Sequence, residues 1–265
     1  MVRIVLTLVL LAASFGSLAA EARPPFEGPR PIVVLIVTSP WSMVVGAETP
    51  RFALYEDGRV IYVERTSARE YTHMQARLTP AELANVKATL LGFATVPVPK
   101  EIDLRPGWTD QPGSLFLLDV DGHTLVTSVY GLGALAGADR EPTVDQAGKA
   151  TLPASIRDLH RYLTEFRVPG ARKWIPNQLE VMLWDYSYAP ETSIRWPATW
   201  PGLSDPTTRK RGNAYSIFLP GTEEPALQAF LASRKPRGAV EIDGKKWAAS
   251  YRPVFPPWRD AFPVD

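Results

Sequence analysis

The chain contains no cysteine and only three histidines in 265 residues. The first absence excludes disulfides, thioether-linked lipid, thiolate metal ligands and a cysteine nucleophile. The second leaves few imidazoles for metal binding or general-base work, and His73, His123 and His160 stand too far apart for a paired metal spacing. An excess of one charge is also missing. Lys and Arg number 29 against 28 Asp and Glu, so there is no electrostatic case for nucleic acid or an anionic membrane surface. Arg209-Lys210-Arg211 is the only basic run, and it reads as a solvated loop. No GxSxG or SxxK motif occurs, which removes the commonest sequence-local nucleophile signatures while leaving a spatial triad open.

What is present begins at the N-terminus. Arg3, then the apolar stretch from Ile4 to Ala13 broken only by Thr7, then small residues at Ser14, Gly16, Ser17, Ala19 and Ala20 give the order of a secretory signal peptide. The apolar run is short for a membrane span, although an uncleaved anchor is the alternative. Leu18-Ala19-Ala20 would precede a lipid-bearing cysteine in a lipoprotein, but Glu21 stands there. The expectation is a soluble, unlipidated, secreted or periplasmic protein after removal of residues 1–20. The remaining length suits one large domain or two small ones. Without disulfides its stability must come from packing, for which 45% hydrophobic and 10% aromatic residues supply material. Proline, at 26 residues, punctuates the chain into many short elements.

Three Asp-Gly dipeptides flanked by strand-like residues predict two-residue β-hairpins. The turn Asp57-Gly58 would pair Leu54 with Ile61 and Phe52 with Val63. The turn Asp121-Gly122 pairs Leu118 with Leu125 and Leu117 with Val126, both faces apolar, as expected for a hairpin covered on both sides. The turn Asp243-Gly244 pairs Val240 with Trp247 and Glu241 with Lys246. Thr79-Pro80-Ala81-Glu82 is a capping box for a helix carrying Leu83, Val86 and Leu90 and ending at Gly92. Ile156, Leu159, Leu163 and Phe166 predict a second helix, and Thr222 would cap a third with Leu227, Phe230 and Leu231 inward. Further strands are expected at Ile32–Val37, Tyr71–Leu78, Leu179–Trp184 and Ala214–Leu219. The order strand, helix, hairpin occurs from Tyr71 to Tyr130 and again from Ala214 to Tyr251. The fold class is therefore α+β, two small lobes of antiparallel hairpins with packed amphipathic helices, divided as residues 31–168 and 174–265. Residues 187–213 read as one long loop.

The order of short motifs resembles a group of bacterial secreted proteins and lipoproteins of unassigned function. FALYEDGRVIY, LTPAEL, GWTDQP, VYGLG, WIP, WP and the tail YRPVFP carry the likeness, which spans most of the chain beyond residue 20. The chain departs from that group in lacking a lipobox cysteine and a cysteine in the second lobe. The resemblance implies location and fold, and no activity.

Chemistry-bearing candidates are few. His123 with Asp119 and Asp121 is the best local cluster, against the plainer reading of turn residues beside an edge histidine. Asp103, Asp110, Glu180 and Asp185 would serve a hydrolase if they met in one cleft. Trp184, Tyr186, Tyr188, Trp196 and Trp200 crowd a Pro-rich span, where aromatics either grip a ligand or plug the space between lobes. The loop from Arg105 to Pro112 combines Arg105, Trp108 and Asp110 between prolines, as a binding loop or a rigid connector. The candidate binding residues are therefore Trp196, Trp200, Trp108, Asp110 and Arg105. No metal site, cofactor or nucleic-acid partner is expected. The leading reading is an exported accessory or binding protein whose partner is an envelope component or protein. A hydrolase of envelope polymer and a structural or inhibitor module are the alternatives.

Overall fold

The computed structural model describes residues 28–38, 40, 49–66, 71–132 and 152–262. The signal-peptide reading of residues 1–20 lies outside the described residues. The fold is α+β and sheet-dominated, with two mixed sheets, helices packed beside them, and no barrel.

The first sheet takes β1 (Pro31–Thr38), β2 (Pro50–Tyr55), β3 (Arg59–Arg65), β4 (Tyr71–Arg77), β5 (Glu101–Asp103), β6 (Gly113–Val120), β7 (His123–Tyr130) and β8 (Arg172–Lys173). Their order is β5-β7-β6-β1-β2-β3-β4-β8. The run PIVVLIVT in β1 is apolar on both sides because both faces of the sheet are covered. Val33, Leu35, Phe52, Leu54 and Tyr62 face α1 (Pro80–Ala94) and α2 (Ala154–Thr164), against Leu90, Ile156 and Leu159. Val34, Ile36, Tyr55 and Ile61 face the other way, against Trp174 and the C-terminal residues Phe255, Ala261 and Phe262.

The second sheet takes β9 (Gln178–Asp185), β10 (Ile194–Arg195), β11 (Arg209–Arg211), β12 (Ala214–Pro220), β13 (Val240–Ile242) and β14 (Lys245–Pro253), in the order β10-β13-β14-β9-β12-β11. One face buries Val181, Leu183, Ile217 and Trp247 under α3 (Glu224–Ala232), chiefly through Leu227 and Phe230. Val254 still donates to the Gln178 carbonyl of β9, and beyond it Phe255, Trp258, Ala261 and Phe262 lie over the first sheet. There the Tyr55 hydroxyl donates to the Pro256 carbonyl at 3.2 Å.

The strand–helix–hairpin echo is present in both halves. In each, a hairpin lies beside a strand antiparallel to it, β6 on β1 and β14 on β9. The hairpins are reversed relative to one another: β6, the first strand of its pair, meets β1, whereas β14, the second, meets β9. Each outer hairpin strand carries a short parallel edge strand, β5 on β7 and β10 on β13, an addition to the antiparallel pattern expected from sequence.

Two of the three hairpins have the expected register. Leu118 pairs with Leu125 and Val240 with Trp247. Asp121 and Gly122, like Asp243 and Gly244, all have positive φ, as a type I′ turn requires. The first hairpin is corrected by one residue: Leu54 pairs with Val60 and Phe52 with Tyr62. Its turn uses three residues, Glu56-Asp57-Gly58. Among them only Gly58 is left-handed, at φ 79°, and its N–H donates to the Tyr55 carbonyl at 3.0 Å. The Asp57 carboxylate stabilises this turn by accepting from the Arg59 amide at 3.0 Å and pairing with Arg77 at 3.1 Å. A Cβ at Gly58 would stand 2.8 Å from the Leu78 carbonyl oxygen. Gly58→Val should therefore lose about 1–3 kcal/mol from backbone strain, with the steric conflict added. An unchanged urea midpoint would contradict this account of the turn.

The capping box is present. The Glu82 amide donates to the Thr79 hydroxyl, and the Glu82 carboxylate accepts from the Thr79 amide at 2.7 Å. The Thr79 amide, and the Thr79 hydroxyl that donates to the same carboxylate at 2.8 Å, hold the Glu82 carboxyl below its ordinary pKa. Three expectations are corrected nearby. Helix α1 runs through Gly92 to Ala94 and ends at Thr95, because Phe93 still packs inward against Tyr162. Thr222 does not cap α3. It sits within a 3-10 turn over Gly221–Glu223, and α3 begins without a side-chain cap. Residues 187–213 are not one loop, since β10 and β11 within them pair onto the two edges of the second sheet.

Candidate functional site

The loop from Leu104 to Pro112 joins β5 to β6 and is fastened from several sides. Tyr130, at the end of β7, donates its hydroxyl to the Trp108 carbonyl at 2.9 Å and accepts the Gln111 amide at 2.9 Å. The Asp103 carboxylate accepts the Arg105 amide at 2.8 Å. The Gly131 amide donates to the Pro112 carbonyl at 2.9 Å, and a Cβ on Gly131 would meet Arg105 Cγ at 2.6 Å. The glycine thus allows the loop to lie close against the end of β7. Gly107 and Asp110 take left-handed backbone at φ 81° and 58°, conformations that Gly adopts freely and Asp tolerates. The product is a fixed turn that presents the Trp108 ring outward at 60% exposure, with the Arg105 guanidinium 6.0 Å from the ring centroid. Trp108, Asp110 and Arg105 are therefore brought together on one exposed loop, and Trp108 is not packed inside.

Trp196 and Trp200 have a different setting. Both are half-buried. Their rings meet edge to face at 4.9 Å, and each meets Phe230 of α3 at 5.6 Å. Both indole N–H groups are used internally, Trp196 on the Pro201 carbonyl at 2.9 Å and Trp200 on the Glu223 carboxylate at 3.2 Å. They wall the core of the second sheet rather than fill space between the two sheets.

The four carboxylates are held by separate elements. Asp103 caps its own loop and Asp110 forms the turn beyond Trp108. Asp185 is exposed at the end of β9 and accepts the Ser187 hydroxyl at 3.1 Å. Glu180, in the same strand, is only 3% exposed. It accepts Ser216 Oγ at 2.7 Å and Arg252 Nε and Nη2 at 2.8 and 2.7 Å, with Arg211 at 3.4 Å. Burial raises the Glu180 carboxyl, but the bonds from Ser216 and Arg252 and the charges of Arg252 and Arg211 outweigh it and hold the pKa below the ordinary value. This is a satisfied buried ion pair facing a cleft of about 240 Å³, which Trp258 and Asp260 also line. Arg252 was not singled out in the sequence. The alternation around it in β14 and the position of Glu180 in β9 are the only signals that pair them.

The histidines are likewise separated. His73 lies between Trp174 and Phe255, His160 packs against Phe116, and His123 is exposed at its hairpin. Asp121 is paired with Lys87 instead. Among the described residues no three His, Asp or Glu side chains are grouped to hold a metal ion, and no helix is long and apolar enough to cross a membrane. The Arg209-Lys210-Arg211 run is an edge strand rather than a loop.

No protein-family profile, curated protein or solved structure matches the chain.

Proposed function

We propose that the chain is an exported, non-catalytic binding protein of the cell envelope or extracellular space, with the Trp108 loop as its contact surface. The observation that carries this reading is the 60% exposure of Trp108 on a loop whose backbone is bonded to Tyr130, Asp103 and Gly131. An exposed tryptophan on a mobile loop would lose much of its contact energy to ordering. One held in place does not, and Trp and Arg are among the residue types enriched at binding hot spots. Export follows from the order of charges and apolar residues in residues 1–20. The bacterial secreted group that the motifs resemble fits the same setting.

Trp108→Ala should leave the denaturation midpoint within about 0.5 kcal/mol of the parent, as expected for an exposed side chain. It should reduce binding to purified envelope fractions by about tenfold or more, the scale of a hot-spot residue. Full retention of binding by a stable Trp108→Ala protein would remove this loop from the reading.

A further inference from the structure

At the far end of the second sheet, two turns stand side by side: Gly212-Asn213 between β11 and β12, and Asp243-Gly244 between β13 and β14. Between them and the end of β9 lies an open bowl of about 720 Å³, a size suited to a small ligand. Its charges are unbalanced. Lys210, Lys245 and Lys246 line it against the single carboxylate of Asp185. Its floor is aromatic, with Tyr215 and Trp247 meeting edge to face at 5.3 Å and Lys210 Nζ 6.0 Å from the Tyr215 centroid. Ser187 and Asn213 add neutral polar groups. Trp247 is 6% exposed and belongs to the core of this sheet, so it backs the bowl as a fixed wall.

We propose that this bowl binds an acidic sugar, a saccharide unit bearing a carboxylate. Three ammonium groups attract the anion by charge, without the planar fork by which arginine selects geometry. The Asp185 carboxylate, Asn213 amide and Ser187 hydroxyl match the donor and acceptor hydroxyls of a sugar ring. The half-buried Tyr215 ring offers an apolar surface to its C–H face. The site is separate from the Trp108 loop and stands or falls independently of it.

The test is calorimetric titration of the full mature chain with a galacturonic acid tetramer, with the neutral galactose tetramer and with sodium sulfate, at low and moderate salt. The acidic tetramer should bind at least tenfold more tightly than the neutral one, and its affinity should fall as salt rises. Lys210→Gln with Lys245→Gln should weaken it at least tenfold. Both lysines are exposed, so the thermal midpoint should not move. Trp108→Ala should bind the tetramer as the parent does. Equal affinity for the neutral sugar, equal affinity for sulfate, or indifference to the double lysine variant would each overturn the proposal.

Discussion

Arg252→Ala should cost about 3–5 kcal/mol, the usual consequence of removing one partner from a buried ion pair. Glu180 is almost fully buried in the middle strand of the second sheet, and two of its closest bonds come from the Arg252 guanidinium. Without Arg252 the carboxylate keeps Ser216 and a longer contact with Arg211, too little to offset its desolvation. The pH dependence identifies the mechanism. In the parent the Glu180 pKa is depressed, so its contribution is present above the unfolded glutamate pKa and is lost as pH falls through the lower native value. In the variant burial dominates and the pKa rises. The deficit relative to the parent should therefore be greatest near neutrality and shrink on acidification, when the carboxyl can protonate. Urea melts at several pH values measure it. Glu180→Met combined with Arg252→Met should recover most of the loss, because an apolar pair of similar volume carries no buried charge. A double variant as unstable as Arg252→Ala would mean that the sheet requires the ion pair for some other reason.

That ion pair illustrates where the sequence was legible and where it was not. The second and third hairpins could be read residue by residue, since an Asp-Gly turn with positive φ at both positions fixes the register. The first hairpin could not. Phe52, Leu54, Val60 and Tyr62 face one core while Ala53, Tyr55 and Ile61 face the other. Slipping the register by one residue exchanges two apolar faces, so the hydrophobic pattern had nothing to discriminate. Asp57 decided it, through the Arg59 amide and the Arg77 guanidinium, and Arg77 lies 20 residues along the chain. The Thr79 box was legible because every group in it is local. The edge strands β5 and β10 are three and two residues long. They exist only because a partner strand lies beside them, which no periodicity records. The same holds for the candidate sites. The exposed Trp108 loop is contiguous and was found from its composition. The lysine-lined bowl is assembled from three separated segments, and only the fold brings Lys210 to Lys245.

Acidification from pH 7 towards pH 4 should destabilise the protein by on the order of 3 kcal/mol through His73 alone, each pKa unit being worth about 1.4 kcal/mol. The ring lies 5.7 Å from Trp174 and 5.4 Å from Phe255, with Nε2 3.3 Å from the Pro50 carbonyl oxygen. Burial pushes its pKa down to about 4. The bond to the Pro50 carbonyl opposes this, and the Arg51 charge adds to it. In the unfolded chain the imidazole takes its proton near 6.5. Between those values the unfolded state binds more protons than the native one, so stability is full above about pH 6.5 and declines until pH falls to the native pKa. His160, whose pKa burial also lowers, adds loss of the same sign. Glu180 contributes only below the ordinary carboxylate range, so the upper part of the window belongs to the histidines. The structural result follows from what the ring touches. The Trp174 and Phe255 rings meet at a tilt, 4.4 Å between centroids, and with His73 they hold the C-terminal segment over the first sheet. A charged imidazolium there favours release of that segment. Urea melts at pH 7, 6, 5 and 4.5 should give a falling midpoint for the parent. His73→Phe keeps the aromatic contacts without the titrating nitrogen and should flatten most of the slope above pH 5. If His73→Phe retains the parent's slope in that interval, the acid sensitivity arises elsewhere and His73 does not govern it.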